Sequence, residues 1–113
     1  MADLGRDIAE RVKAARADRA PLYLEAGGSK RDCIGRRCHA EPFDLSGHRG
    51  IVDYQPDELV LTVRSGTTLA EINTALAEWG QRLSFEPPRF APAATIGGTV
   101  ACNQSGPARP WGG

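Results

Sequence analysis

Two adjacent glycines between β-branched residues constrain this chain more than any other stretch. They lie in Thr95-Ile96-Gly97-Gly98-Thr99-Val100-Ala101-Cys102-Asn103, which runs on to Gly106 and Pro107. Consecutive glycines let the backbone take φ > 0 and strip side chains from its surface. Peptide N–H groups in such a loop are expected to be free to face an anion, as at helix starts and in backbone nests. A second stretch of this kind, Ala26-Gly27-Gly28-Ser29-Lys30, follows the strand-like Pro21-Leu22-Tyr23-Leu24. The two loops together predict a site for one phosphate-bearing cofactor held between them.

At 113 residues the chain is expected to form one small domain. Lys and Arg balance Asp and Glu at 14 each, which removes the electrostatic case for nucleic acid or an anionic membrane surface. The few scattered aromatic residues form no base-stacking platform. No apolar run approaches the roughly 20 residues that span a bilayer. The first residues lack the basic-then-apolar order of a secretory signal. Three cysteines, Cys33, Cys38 and Cys102, without a secreted-scaffold spacing suit a reducing compartment. The expected location is therefore cytoplasmic.

Taken in order, Leu4, Ile8, Val12 and Ala15 fall at i, i+4, i+8 and i+11 and predict an amphipathic helix with Asp3 as its N-cap. Its charged residues read as a solvated outer face. Pro21 to Glu25 predicts a short buried strand opened by proline, running straight into the first glycine loop. That loop is neither a Walker motif nor a Rossmann fingerprint, since the spacing of glycines and lysine fits neither. The polar segment from Asp32 to Glu41 carries Cys33, Cys38 and His39, with His48 as the nearest further nitrogen ligand. These read as loop residues and not as a structural zinc site, so no metal is expected.

Phe43-Asp44-Leu45 predicts a minimal strand. Ile51 to Tyr54 and Leu59 to Arg64 predict paired strands across Gln55-Pro56-Asp57-Glu58, the second apolar on both faces and so expected at the centre of a sheet. Thr68-Leu69-Ala70-Glu71 is a capping box opening a helix whose buried stripe is Leu69, Ile72, Leu76 and Trp79, with Gly80 as the stop. Trp79 reads as core. Pro87-Pro88 makes a rigid, extended approach to the second glycine loop, which is followed by a helical turn through Ala101 and Asn103. The end, Arg109-Pro110-Trp111-Gly112-Gly113, has no terminating element and reads as a domain cut short.

A strand into Gly-Gly-Ser, Gly66-Thr67-Thr68-Leu69 opening a helix, and then Thr95-Ile96-Gly97-Gly98-Thr99-Val100-Ala101 resemble the FAD-binding domain of the vanillyl-alcohol-oxidase/PCMH-type flavoproteins. Within that family, His48 to Tyr54, Glu86-Pro87-Pro88, Val100-Ala101-Cys102, Gly106-Pro107 and Arg109-Pro110-Trp111 are similar to the FAD-binding subunits of bacterial glycolate oxidases. The resemblance covers nearly the whole chain. It implies an α+β fold, the first lobe of a PCMH-type FAD-binding domain. That lobe is a small mostly parallel sheet flanked by helices, here truncated at the C-terminus before a cap domain.

By position, the resemblance implies FAD contacts at Ala26, Gly27, Gly28, Ser29 and Lys30, at Thr95, Ile96, Gly97 and Gly98, and at Ala101, Cys102 and Asn103. Glu86 and Pro87 would border the flavin path. Some relatives attach FAD through a histidine in the first loop; none stands there in this chain, so non-covalent FAD is expected. The resemblance further implies a complex with a second flavin subunit and an iron–sulfur subunit, peripheral to the membrane at most. The substrate would be a small 2-hydroxy acid, and the catalytic groups would lie beyond Gly113. Two other readings remain open: a family member oxidising another hydroxy acid or alcohol, and a non-catalytic scaffold subunit.

Overall fold

One cation links the first helix to the second strand. A computed structural model describes residues 3–27, 40–84 and 93–102. In it α1 spans Gly5–Ala17, β1 Leu22–Glu25 and β2 Glu41–Asp44. Arg11 of α1 pairs with Glu41 and lies over the Phe43 ring, 6.0 Å from its centroid, an exposed contact between the helix and β2. Leu4, and not Asp3, holds the N-cap position. Asp3 stands one residue further out, where its carboxylate accepts the Gly5 N–H at 2.9 Å. Of the predicted stripe, Ala15 is buried, Leu4 and Ile8 are half-buried, and Val12 is exposed. A two-stranded partner is too narrow to cover all four turns.

β1 and β2 run parallel, Leu22 opposite Glu41 through Glu25 opposite Asp44. β2 starts at Glu41, earlier than predicted, because pairing with Leu22 draws Glu41 and Pro42 into the ladder. β1 is half-buried with Leu24 exposed, where a buried strand was expected.

β3 (Ile51–Gln55) and β4 (Val60–Val63) form the predicted hairpin, closed by a 3₁₀ turn at Pro56–Glu58 and by Leu59 in the left-handed region. The register shifts between Ile51 and Asp53, a bulge that leaves Val52 exposed. Among the described residues β4 pairs with β3 alone, and its burial alternates along the strand. Within the described residues it is therefore not the central strand its composition suggested. The parallel and antiparallel pairs are separate ladders, and with the helices they make an α+β fold.

α2 (Leu69–Ala77) begins at Thr68, whose hydroxyl accepts the Glu71 N–H at 3.2 Å, the predicted cap. It ends in a pair of reversed bonds, Gly80 N–H to Ala77 C=O and Gln81 N–H to Leu76 C=O, with Gly80 at φ +65°. That is the glycine-closed stop expected from the sequence. Leu69, Ile72 and Leu76 are buried, whereas Trp79 is 61% exposed and is not core. The turn at Gly80 brings Gln81 back over the hairpin. There its amide donates to the Pro56 carbonyl at 2.9 Å and its oxygen accepts the Tyr54 hydroxyl, leaving Trp79 outside. None of the described helices is long and apolar enough to cross a membrane.

Candidate functional site

α3 spans Ile96–Ala101, so both glycines of the second segment lie inside the first turns of a helix. Among the described residues the glycines with positive φ are Gly50 and Gly80. Gly97 and Gly98 therefore serve something other than a left-handed turn. Thr95 is the N-cap and its hydroxyl accepts the Gly98 N–H at 3.2 Å. The Ile96 N–H donates to the Thr67 carbonyl at 2.9 Å, and the Gly97 N–H to the Ser65 carbonyl at 3.0 Å. These are the amides that a helix start leaves without intrahelical partners. Here the protein itself satisfies them, which corrects the expectation that glycine frees them for an anion.

The helix starts of α2 and α3 exchange bonds. Leu69 N–H donates to Ala94 C=O at 3.0 Å while Ile96 N–H donates to Thr67 C=O, and Thr68 and Thr95 form an antiparallel bridge between them. Each N-terminus thus supplies the acceptor that the other lacks. Thr67, Thr95 and Thr99 are buried at this junction, and all three hydroxyls are bonded to backbone. Thr67 accepts the Gly50 N–H at 2.9 Å and donates to the Gly50 carbonyl, tying the junction to the start of the hairpin.

The glycines allow close approach of backbones. A Cβ on Gly97 would lie 2.7 Å from the Ser65 carbonyl oxygen and 2.9 Å from the Ser65 Cβ. A Cβ on Gly27 would overlap the carbonyl of Ala93. The first glycine segment therefore packs against the entry to the second, although some 65 residues of chain separate them.

Between the two segments is a pocket of about 180 Å³. Leu24, Glu25 and Ala26 form one wall, Thr95, Gly97, Gly98 and Ala101 the opposite one, and Leu45 and Ser65 complete it. Of the residues predicted to bind cofactor, Ala26, Thr95, Gly97, Gly98 and Ala101 line this pocket, and Gly27 stands beside it against Ala93. Ile96 and Cys102 belong to α3 and its C-cap and are not lining residues. Gly28, Ser29, Lys30, Glu86, Pro87 and Asn103 lie outside the described residues, as do Cys33, Cys38 and His39. Sequence reasoning missed Leu24, Glu25, Leu45 and Ser65. For Ser65 the available signal was its place in Ser-Gly-Thr-Thr, immediately before the capping box. Next to Leu45, the Asp44 carboxyl is held below its ordinary value by the Ser46 hydroxyl and then by the Ser46 N–H, which donates at 2.9 Å.

The pocket is smaller than the roughly 300–1,000 Å³ of sites that enclose a whole ligand, so it fits one segment of an extended molecule. The sequence profile of the FAD binding domain matches residues 5–113. The chain belongs to the FAD-binding domain family. FAD is the cofactor of that family, and the wall of Thr95, Gly97, Gly98 and Ala101, with its small side chains and bare backbone, suits the close approach of an elongated dinucleotide. The chain is also similar to glycolate oxidase subunit GlcE of Escherichia coli (strain K12), with 44% identity over 111 residues. That match covers 98% of this chain and 31% of the relative, so the chain spans about a third of the relative's length. No solved structure matches it.

Proposed function

We propose that this chain is the N-terminal part of the FAD-binding domain of a glycolate oxidase-type subunit. In that reading it belongs to an oxidoreductase complex converting a small 2-hydroxy acid to the 2-oxo acid. One observation carries the reading: Ala26 of the first glycine segment and Thr95, Gly97, Gly98 and Ala101 of the second, far apart in the sequence, line one pocket in a chain of the FAD-binding family. The similarity to a relative named as a glycolate oxidase subunit supports the substrate class and the presence of partner subunits; the family resemblance makes these a second flavin subunit and an iron–sulfur subunit.

Ala26 to Lys30 and Thr95 to Asn103 would hold the cofactor, with Glu86 and Pro87 along its path. Bound flavin supplies the two-electron acceptor for oxidation at the alcohol carbon. The described residues contribute position. The reciprocal bonds between the starts of α2 and α3 set one wall, and the Gly27–Ala93 contact sets its distance from the other. Gly27-Gly28-Ser29-Lys30 offers no histidine for attachment, so the flavin is held without a covalent bond. The groups that handle the substrate lie in a cap domain beyond residue 113, and the complex sits in the cytoplasm or against the membrane surface.

The test is the visible absorption spectrum of the purified full-length subunit before and after acid precipitation. Flavin bands that move into the acid supernatant support non-covalent FAD. Bands that stay with the pellet overturn the non-covalent assignment. A colourless protein that also takes up no added FAD overturns the reading in favour of a scaffold subunit. Turnover of glycolate against other 2-hydroxy acids and alcohols, measured on the assembled complex, decides the substrate class.

A further inference from the structure

The hydroxyls around the two helix starts are almost all committed. Thr67 bonds to Gly50, Thr68 to Glu71, Thr95 to Gly98, and Thr99 to the Thr95 carbonyl. Ser65 differs: it is an exposed residue on the rim of the pocket between the glycine segments, and among the described residues its hydroxyl has no protein hydrogen-bond partner, so it is open to a ligand or water. Its backbone is held on every side. The Ser65 carbonyl accepts the Gly97 N–H, Arg64 N–H donates to Gly50 at 3.0 Å, Gly66 N–H to His48 at 2.8 Å, and Thr67 N–H to Arg64 at 3.0 Å. Gly97 brings α3 against the Ser65 side chain, because any Cβ there would meet the Ser65 Cβ at 2.9 Å.

We propose that the Ser65 hydroxyl is a ligand-binding group of the cleft, donating a hydrogen bond to an oxygen of the bound dinucleotide, on its phosphate or its sugar chain. This rests on the FAD reading and adds a contact that the glycine segments do not contain. A hydroxyl on a pinned backbone loses little conformational freedom when it bonds, and the neighbouring amides of Ile96, Gly97 and Gly98 are already engaged. Ser65 is therefore a polar donor on this part of the wall, beside the O–H of Thr95, whose oxygen already accepts the Gly98 N–H.

The experiment compares FAD dissociation constants and apoprotein melting for the full-length subunit and its Ser65→Ala variant. Loss of one such bond is expected to weaken FAD by about tenfold. Apoprotein melting should stay within about 2 °C, since the hydroxyl bonds nothing among the described residues. Riboflavin keeps the sugar-chain hydroxyls and lacks phosphate. A matching loss with riboflavin assigns the bond to the sugar chain, and a loss confined to FAD assigns it to the phosphate-bearing part. If the unaltered protein binds FAD and the variant binds equally tightly, the Ser65 assignment alone is overturned. If affinity and apoprotein melting fall together, Ser65 is structural and the assignment fails. An unaltered protein that takes up no FAD overturns both readings at once.

Discussion

Replacing Thr67 with valine keeps the shape of a fully buried side chain and removes its hydroxyl. That hydroxyl accepts the Gly50 N–H at 2.9 Å and donates to the Gly50 carbonyl at 3.2 Å. The two losses are unequal. The Gly50 carbonyl keeps the Arg64 N–H at 3.0 Å, whereas the Gly50 N–H, in a buried residue, is left without its acceptor. An orphaned buried donor costs about 1–3 kcal/mol. For a domain of this size each kcal/mol lowers the melting temperature by about 4–8 °C, so Thr67→Val at about 2 kcal/mol should lower it by roughly 8–16 °C. Thr67→Ser keeps the hydroxyl and loses one buried methyl, about 1 kcal/mol, or roughly half that shift. Thermal unfolding followed by circular dichroism gives the ranking, and hydrogen exchange at the Gly50 amide locates its cause. Protection of that amide should be lost in Thr67→Val and kept in Thr67→Ser. A valine variant as stable as wild type, or more stable than the serine variant, would refute the reasoning.

Three further outcomes follow from the same structure. Gly27→Ala should melt lower by the equivalent of about 1–3 kcal/mol and bind FAD more weakly, because its methyl group is forced onto the Ala93 carbonyl; an unchanged melting point and affinity would show that the two segments do not touch as described. Ile72→Ala should cost about 2–5 kcal/mol, while Trp79→Ala on the exposed side of the helix end should stay within about 0.5 kcal/mol, and urea titration of both ranks them. Asp44 is held below its ordinary carboxylate value by Ser46. The stability it adds is fully present above that ordinary value and is lost as pH falls through the lowered one, so Asp44→Asn should flatten the acid limb of a stability–pH profile.

Local signals were readable wherever a residue's neighbours in sequence are also its partners in space. The Thr68–Glu71 cap, the Gly80 stop and the hairpin turn at Pro56–Glu58 are interactions of this kind, decided within a few residues. The Leu69, Ile72 and Leu76 stripe was legible from helical spacing, and the glycine motifs carried the family resemblance that the FAD-binding profile bears out.

What the sequence by itself determined, then, is the identity of the short elements and the chemistry at their ends, because capping, turn closure and periodicity act over one or two helical turns. Tertiary structure decided the rest. Gly97 lies in a helix and not in an open loop, and it has to be glycine because the Ser65 carbonyl occupies the space a side chain would need. The amides of Ile96 and Gly97 are spent on Thr67 and Ser65, some 30 residues earlier in the chain. Trp79 faces out because Gln81 reaches Pro56 and Tyr54 first. Each of these outcomes depends on which distant backbone arrives at a given position, and no local pattern encodes that arrival.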